Sequence, residues 1–181
     1  NGSDLQNHLK SHSKSYLQDR GYPHLAVAGK WVWVTEKTSE LRLHIDAEDY
    51  FAHLTAACEG AQRFIFIAGW DIDSRTPLKK RSDGTNSIEY QLYYFLRRLV
   101  AEKPKLEIFL LCWNYSLIFS VERELWPMFK SWGERIHFVL DKHHPLFSSQ
   151  HQKFVVVDDE IAFLGGIDIC ENRWDNSRHL L

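Results

Sequence analysis

The stretch from Ser148 to Asp168, which reads SSQHQKFVVVDDEIAFLGGID, decides the fold. Residues 154–157 are apolar and mostly β-branched, a pattern that predicts a buried strand. Residues 158–160 are polar and prone to turns, and residues 161–164 are apolar again. The stretch therefore predicts a tight strand–turn–strand hairpin.

Two side chains with complementary chemistry, His151 and Lys153, stand just before the first of these strands. Because strand side chains alternate between faces, residues two apart are expected to point the same way. A neutral imidazole can attack phosphorus, and a compact ammonium can neutralise a phosphate oxygen. Asp158 completes an H-x-K-x4-D pattern but has the opposite strand parity to His151. We therefore expect a structural role for Asp158 in support of the site.

The same pattern occurs a second time, at His12, Lys14 and Asp19. Its surroundings are polar, lack a β-branched run and fit helical spacing better. On a helix, residues two apart point about 200° apart, so His12 and Lys14 would diverge. No Gly-Gly pair follows either. We interpret this first match as accidental and the later one as functional.

The later match continues after six residues into Gly165-Gly166-Ile167-Asp168. This combination resembles the signature of the phospholipase D superfamily, in the Gly-Gly-x-Asp form of its lipid-acting members. The resemblance implies that His151 is a nucleophile forming a covalent phosphohistidine and that Lys153 stabilises the charged transition state. It also places Asp168 at the family's Asn/Asp position, where it could bond to a ring nitrogen and orient His151. This chemistry requires no metal and no cofactor, because lysines carry the charge.

A single histidine serves only part of this reaction. Attack from one side leaves an alkoxide on the other, and that group needs a proton from a second acid. In the family, a second copy of the motif supplies it, from a later half of the same longer chain or from another subunit. The resemblance therefore predicts the N-terminal half of a two-motif protein, with little activity by itself.

The residues between these motifs predict alternating strands and helices. Such alternation indicates an α/β fold, with a mixed, mostly parallel β-sheet and helices on both faces. The resemblance implies one half of a phospholipase D-type fold. Residues 1–30 are expected to be an N-terminal extension or helix, and residues 31–181 a catalytic half-domain. The predicted strands are 31–34, 40–45, 64–69, 106–112 and 135–141. The predicted helices span residues 4–20, the segment from an Asp46 cap to Gly60, the segment from Ile88 towards Pro104, and residues 121–129.

Further candidate residues follow the ends of predicted strands. In open α/β sheets, loops that contact ligands follow the carboxyl ends of strands. We therefore expect substrate contacts from Trp70, Asp71, Trp113 and Asn114, and from the Gly165-Gly166 pair, whose flexibility permits a sharp turn. His143 and His144 are interpreted as ordinary loop residues. The Lys79–Gly84 run fits either solvated surface or a contact with phosphate head groups.

The bulk composition sets limits on function. The 181 residues are 44% hydrophobic, which supports one globular domain, and a net charge of −2 argues against a nucleic-acid partner. Three widely spaced cysteines, without a C-x-x-C pair, argue against a zinc site and a disulfide framework. No apolar run approaches the roughly 20 residues that span a bilayer. We expect a cytoplasmic or peripheral membrane location.

Three functions remain open. The first is a phospholipid phosphodiesterase that hydrolyses head groups or transfers the phosphatidyl group to an alcohol, in peripheral contact with a membrane. The second is a single-motif phosphodiesterase or nuclease that completes its site as a homodimer. The third is a non-catalytic domain that retains the fold for binding.

Overall fold

A computed structural model describes residues 34, 38–80, 84–114, 131–145 and 148–179. It divides the chain into two compact units, residues 1–45 and 46–181. The helices predicted at 4–20 and 121–129 lie outside the described residues, as does the strand at 31–34 apart from Val34. The predicted domain boundary at residue 31 stays a prediction.

The second unit alternates strands and helices as the sequence predicted. Its described elements are α1 (Ala47–Gly60), β1 (Phe64–Gly69), a 3-10 turn (Ile88–Tyr90), α2 (Leu92–Glu102), β2 (Glu107–Trp113), β3 (Ile136–Asp141), β4 (Phe154–Val157) and β5 (Ile161–Leu164).

The five strands form one mixed sheet in the order β3-β2-β1-β4-β5. β1 pairs with β2, and β2 with β3, in parallel, whereas β4 is antiparallel to both β1 and β5. Only β4 therefore runs against the others among the described strands. The predicted α/β fold with a mixed, mostly parallel sheet is confirmed.

Both described helices pack on one face of the sheet. Their inward side chains join the alternate strand residues in a single apolar core, which includes Phe51, Leu54, Phe95, Leu96, Ile65, Ile67, Ile108, Leu110 and Val155. The opposite face carries stacked rings across four strands, from Phe154 and Phe66 to Phe109 and His137. Phe109 is partly exposed there. Helices over this second face stay a prediction, because residues 115–130 are outside the described part.

The predicted hairpin is confirmed, and its turn explains the acidic residues. Asp158 and Asp159 have φ of 55° and 61°, and the Glu160 N–H donates to the Val157 carbonyl at 3.0 Å. Positive φ at both central residues is the geometry of a type I′ turn, which matches the twist of paired strands. Aspartate is among the few residues that tolerate it.

Two local predictions are wrong. Residues 40–45 form no strand, and Leu41 and Leu43 are exposed. Alternation alone cannot make a strand, because its backbone also needs a neighbour, and no described strand pairs with this segment. Asp46 makes no side-chain cap on α1, since its φ is 68°. Instead, the Glu48 N–H donates to the Asp175 carbonyl at 2.9 Å, so the C-terminal segment caps this helix.

Candidate active site

The strand directions bring most candidate residues to one edge of the sheet. β1, β2 and β3 all end there, and Trp70 and Asn114 follow the first two of these ends. β4 begins at this edge because it is antiparallel, so His151 and Lys153 stand just before it. β5 ends there as well, and Asp168 lies beyond it. We call this the carboxyl edge.

His151 is an exposed residue that borders an aromatic stack. Its ring meets the Trp70 ring edge to face, with centroids 5.9 Å apart and planes at 67°. Trp70 stacks on Trp113 at 5.5 Å and 22°. Trp113 is buried, so the Trp70 ring that contacts His151 is itself stacked on a fixed side chain.

Lys153 and Asp168 form a buried ion pair at the same edge. Lys153 Nζ lies 3.1 Å from Asp168 Oδ2, and both side chains are more than nine-tenths buried. The two atoms are close, but no described residue accepts a well-aligned hydrogen bond from the Lys153 ammonium. A buried cation with unused donors is costly unless further acceptors reach it. Lys153 therefore has hydrogen-bond donors left for an oxyanion, which can reach them only if the buried side chain moves.

Asp168 also holds the loop after β1. Its Oδ1 accepts hydrogen bonds from the backbone N–H groups of Trp70 at 2.8 Å and Asp71 at 3.2 Å. The close approach depends on Gly69, where a Cβ would lie 3.1 Å from the Asp71 carbonyl oxygen and 3.4 Å from Asp168 Oδ1. The His151 ring is not among the described partners of Asp168. The carboxylate instead joins Lys153 to the loop that carries Trp70.

Asp158 lies at the opposite edge, where β4 ends and β1 begins. Its carboxylate accepts hydrogen bonds from the backbone N–H groups of Gln62, Arg63 and Phe64 at 2.7–2.8 Å. Burial raises the pKa of this carboxyl, but the three N–H groups outweigh burial, and the pKa is lower than usual. Asp158 fastens the α1–β1 connection to the hairpin and does not reach His151.

The remaining residues that were predicted to contact substrate differ in solvent exposure. Gly165 and Gly166 are exposed, and a Cβ on either would meet nothing within 4 Å. Neither has a positive φ, so the backbone conformation does not demand glycine there. Asp71 is half-buried, and the thiol of Cys170 donates a hydrogen bond to it. Burial, followed by the negative charge of Asp71, raises the pKa of that thiol to about 12.

Sequence reasoning missed the role of His144. The indole Nε1–H of Trp113 donates to His144 Nε2 at 3.0 Å, and the two rings are 5.8 Å apart. Asn114, predicted to touch substrate, donates its backbone N–H to Asp141 and places its carbonyl 3.2 Å from His144 Nε2. The available signal was position, because His144 follows the carboxyl end of β3 as Asn114 follows that of β2.

One group of side chains in the second unit could in principle hold a metal ion. The ligand atoms of Asp46, Asp175 and His179 lie within 4.8 Å of one another. His179 Nδ1 already pairs with Asp175 Oδ2 at 2.7 Å, and the carboxylate raises the pKa of the imidazole. None of the three belongs to the predicted site.

The carboxyl edge thus combines an exposed imidazole, a buried ammonium with unused donors and a carboxylate that fixes the ammonium. An imidazole can attack an electrophilic centre, and the ammonium can stabilise the anion that forms. Among the described residues, no second imidazole meets His151 to serve as an acid.

The sequence has clear relatives. It is 32% identical over 142 residues to phospholipase D C of Dictyostelium discoideum, which covers 76% of this chain and 8% of that protein. It is 25% identical over 193 residues to phospholipase D1 of Rattus norvegicus, covering 99% of this chain and 16% of that protein. The chain therefore spans less than a fifth of these relatives. No protein-family model matches it.

Among solved structures, NucT from Helicobacter pylori superposes with a TM-score of 0.46 and 16% identity. The match covers 72% of this chain and 74% of NucT. Within the described residues, no helix combines the length and the apolar character needed to cross a membrane.

Proposed function

Because the chain belongs to the phospholipase D superfamily, we propose that it is the part of a phospholipid phosphodiesterase that carries one catalytic histidine, His151. The supporting observation is the grouping of exposed His151, buried Lys153 and Asp168 at the carboxyl edge. The substrate of the whole protein would be a phospholipid. Its phosphate would lie at His151 and its acyl chains would stay in a membrane that the protein contacts peripherally.

In the proposed first step, an imidazole nitrogen of His151 forms a bond to phosphorus, and the bond from phosphorus to the leaving oxygen breaks. Lys153 Nζ neutralises a non-bridging oxygen as negative charge grows on it. A second imidazole protonates the leaving alkoxide. It then takes a proton from water, for hydrolysis, or from an alcohol, for transfer. The oxygen of that water or alcohol bonds to phosphorus, the phosphorus–nitrogen bond breaks, and the phosphate product leaves His151 as a free imidazole.

The burial of Lys153 adds a condition to this step. Its ammonium is closed to solvent beside Asp168, so a phosphate oxygen reaches it only after the side chain turns towards His151. Asp168 pairs with the Lys153 ammonium until a substrate oxygen takes its place. No metal or cofactor enters the proposed sequence.

The second imidazole must come from outside the described site. A second copy of the motif, in a longer chain or in a homodimer mate, would place it opposite His151. This chain alone should therefore form the covalent intermediate only with a leaving group that needs no proton. A p-nitrophenolate meets that condition, since it is stable as an anion.

The test uses radiolabelled phosphodiesters of p-nitrophenol. We expect a burst of p-nitrophenolate of at most one equivalent per chain, and a label on the protein that is stable to alkali and labile to acid, as phosphohistidine is. His151→Ala should abolish both, and His143→Ala, at an exposed neighbouring histidine, should preserve both. Absence of label from the wild-type chain, with fold intact, would overturn the proposal.

The same assay distinguishes the lipid function from a nuclease. A phosphatidyl ester of p-nitrophenol in mixed micelles should label His151 faster than thymidine 5′-p-nitrophenyl phosphate. The reverse order would favour a nucleotide substrate. The mass in solution, measured by sedimentation during labelling, shows whether a dimer is the reacting species.

A further inference from the structure

The loop between β3 and β4 is attached to the sheet at a second point besides His151. That point is His144, seven residues earlier, whose Nε2 accepts the indole N–H of Trp113 at 3.0 Å. Trp113 is the last residue of β2 and is buried, so it is a fixed anchor. The loop that carries the proposed nucleophile is thus tied to β2 through a buried indole.

The surroundings of His144 select one neutral form of its ring. Nδ1 lies 3.2 Å from the Pro145 carbonyl oxygen, which can only accept a hydrogen. Nε2 faces the Trp113 N–H, which can only donate one. Nε2 also lies 3.2 Å from the Asn114 carbonyl oxygen, which can only accept a hydrogen bond. A ring with its hydrogen on Nδ1 satisfies the Trp113 and Pro145 contacts, whereas a hydrogen on Nε2 would satisfy only the Asn114 contact and would oppose the Trp113 N–H. The proton position follows from these partners.

The contacts form a continuous path from His144 to His151. The His144 and Trp113 rings are 5.8 Å apart, Trp113 stacks on Trp70 at 5.5 Å, and Trp70 meets the His151 ring at 5.9 Å. Both ends of this path belong to one loop. A rotation of Trp113 would move the surface on which Trp70 rests, and Trp70 would then present a different edge to His151.

We propose that His144 is a positioning residue of the site, which sets the orientation of His151 by fixing the Trp113–Trp70 stack. The role rests on the proposed function in so far as His151 is the nucleophile. His144 touches neither substrate nor reacting atoms in this role. His144 contributes the hydrogen-bond acceptor at Nε2, and an aromatic ring without that acceptor would not fix the Trp113 indole.

Two substitutions separate the acceptor from the ring. His144→Phe keeps an aromatic ring beside Trp113 but has no acceptor. His144→Gln lacks the ring, but its amide oxygen can stand near the position of Nε2. His143→Gln, at the exposed neighbour, is the matched control. Trp113→Phe assigns one of the seven indole N–H signals in a nitrogen–proton correlation spectrum.

In His144→Phe, we expect the Trp113 indole N–H signal to move upfield and to exchange faster with solvent. The ring signals of His151 should shift in the same variant, although its own residue is unchanged. His144→Gln should return both sets towards the wild-type positions, and His143→Gln should leave them in place. Unchanged Trp113 and His151 signals in a folded His144→Phe chain would overturn the inference.

The kinetic arm uses the p-nitrophenolate burst. Loss of the Trp113–His144 hydrogen bond should misalign His151 and slow the burst about tenfold in His144→Phe. In His144→Gln, the burst rate should recover to within about twofold of the wild-type rate. In a Trp113→Phe background, His144→Phe should add no further loss, since the bond is already absent. Independent losses of equal size would contradict a shared path.

The two proposals can fail separately. If the wild-type chain forms no phosphohistidine while the His144 variants still move the His151 signals, the coupling stands and the proposed function fails. If phosphohistidine forms and the His151 signals ignore His144, only the positioning role fails. Thermal unfolding of each variant, followed by circular dichroism, shows whether any lost signal reflects lost fold.

Discussion

Two acidic residues, Asp168 and Asp158, lie at opposite edges of the sheet and have different partners. At the carboxyl edge, Asp168 faces the ammonium of Lys153 and two backbone N–H groups. At the opposite edge, the Asp158 carboxylate accepts hydrogen bonds from three consecutive backbone N–H groups where the α1–β1 connection enters β1. One motif, H-x-K-x4-D, is thus divided between two edges of the same sheet.

The difference shows that residues of one sequence motif can lie at opposite edges of a sheet when a strand runs between them. Four residues of β4 lie between Lys153 and Asp158, and at about 3.3 Å per residue they span the sheet. The motif's aspartate is therefore a structural clamp here, and the carboxylate near the proposed chemistry comes from beyond β5. Substitutions at the two carboxylates should have different consequences.

The largest expected effect is at the ion pair. Asp168→Asn keeps a carbonyl oxygen for the Trp70 and Asp71 N–H groups but leaves the buried Lys153 ammonium without an anion. Breaking a buried pair on one side costs about 3–5 kcal/mol. Urea unfolding should show a loss of this size in the free energy of unfolding at pH 7.

The control for this prediction is a double variant. Lys153→Met combined with Asp168→Asn removes both charges and should recover much of the stability lost in Asp168→Asn alone. A loss below about 1 kcal/mol in the single variant would show that the pair is not buried in solution.

The next effect is at Asp158, and it depends on pH. Asp158→Asn places an amide N–H₂ where Oδ2 accepts from Gln62, so we expect a loss of about 2 kcal/mol near pH 7. The folded pKa of Asp158 lies below its ordinary value, so the carboxylate stabilises the fold above the unfolded pKa of about 4. This stabilisation is lost as the pH falls through the folded pKa.

Urea unfolding of the wild type and Asp158→Asn at several pH values checks that sign. The stability difference should stay constant from pH 7 to about pH 5 and shrink in more acidic solution. Labelling of His151 by the folded variant should continue near the wild-type rate. A difference that grows on acidification would refute the clamp, and lost labelling in a folded variant would return Asp158 to the active site.

The smallest effect on stability is expected at Gly166. A Cβ there meets nothing within 4 Å and the φ is not positive, so Gly166→Ala should change the free energy of unfolding by less than about 1 kcal/mol. If Gly166 lines the substrate, as the sequence predicts, the added methyl should slow labelling of His151 without moving the unfolding midpoint.

Gly69→Ala is the matched comparison, because its Cβ would lie 3.1 Å from both the Asp71 carbonyl oxygen and Ile72 Cγ1. This variant should lose about 1–3 kcal/mol through crowding. Equal losses at Gly69 and Gly166 would indicate that the open space beside Gly166 is filled in solution.

Much of the fold could be read from local patterns. The apolar runs at 64–69 and 154–157 predicted strands within a residue of their observed bounds, because a buried strand needs unbroken apolar side chains. Residues 40–45 show the limit of this reasoning. Their alternation resembles a strand's, but a strand also needs a hydrogen-bonding neighbour, which no local pattern specifies.

The site was readable in part. His151 and Lys153 were found because nucleophile and cation stand two apart before a strand. The pairing of Lys153 with Asp168 was not predicted, since the sequence suggested Asp168 as a partner of His151. The Trp113–His144 bond joins residues 31 apart, and only the meeting of two strand ends places them together.

The sequence by itself determined the hairpin, the α/β alternation and the identity of the residues that resemble a known catalytic motif. Those features follow from side-chain chemistry and short sequence spacing, which do not depend on the tertiary fold. Only the tertiary structure decided which carboxylate meets Lys153 and which clamps the far edge. Direction within the sheet is the physical reason, because reversing β4 beside β1 carries His151 to one edge and Asp158 to the other.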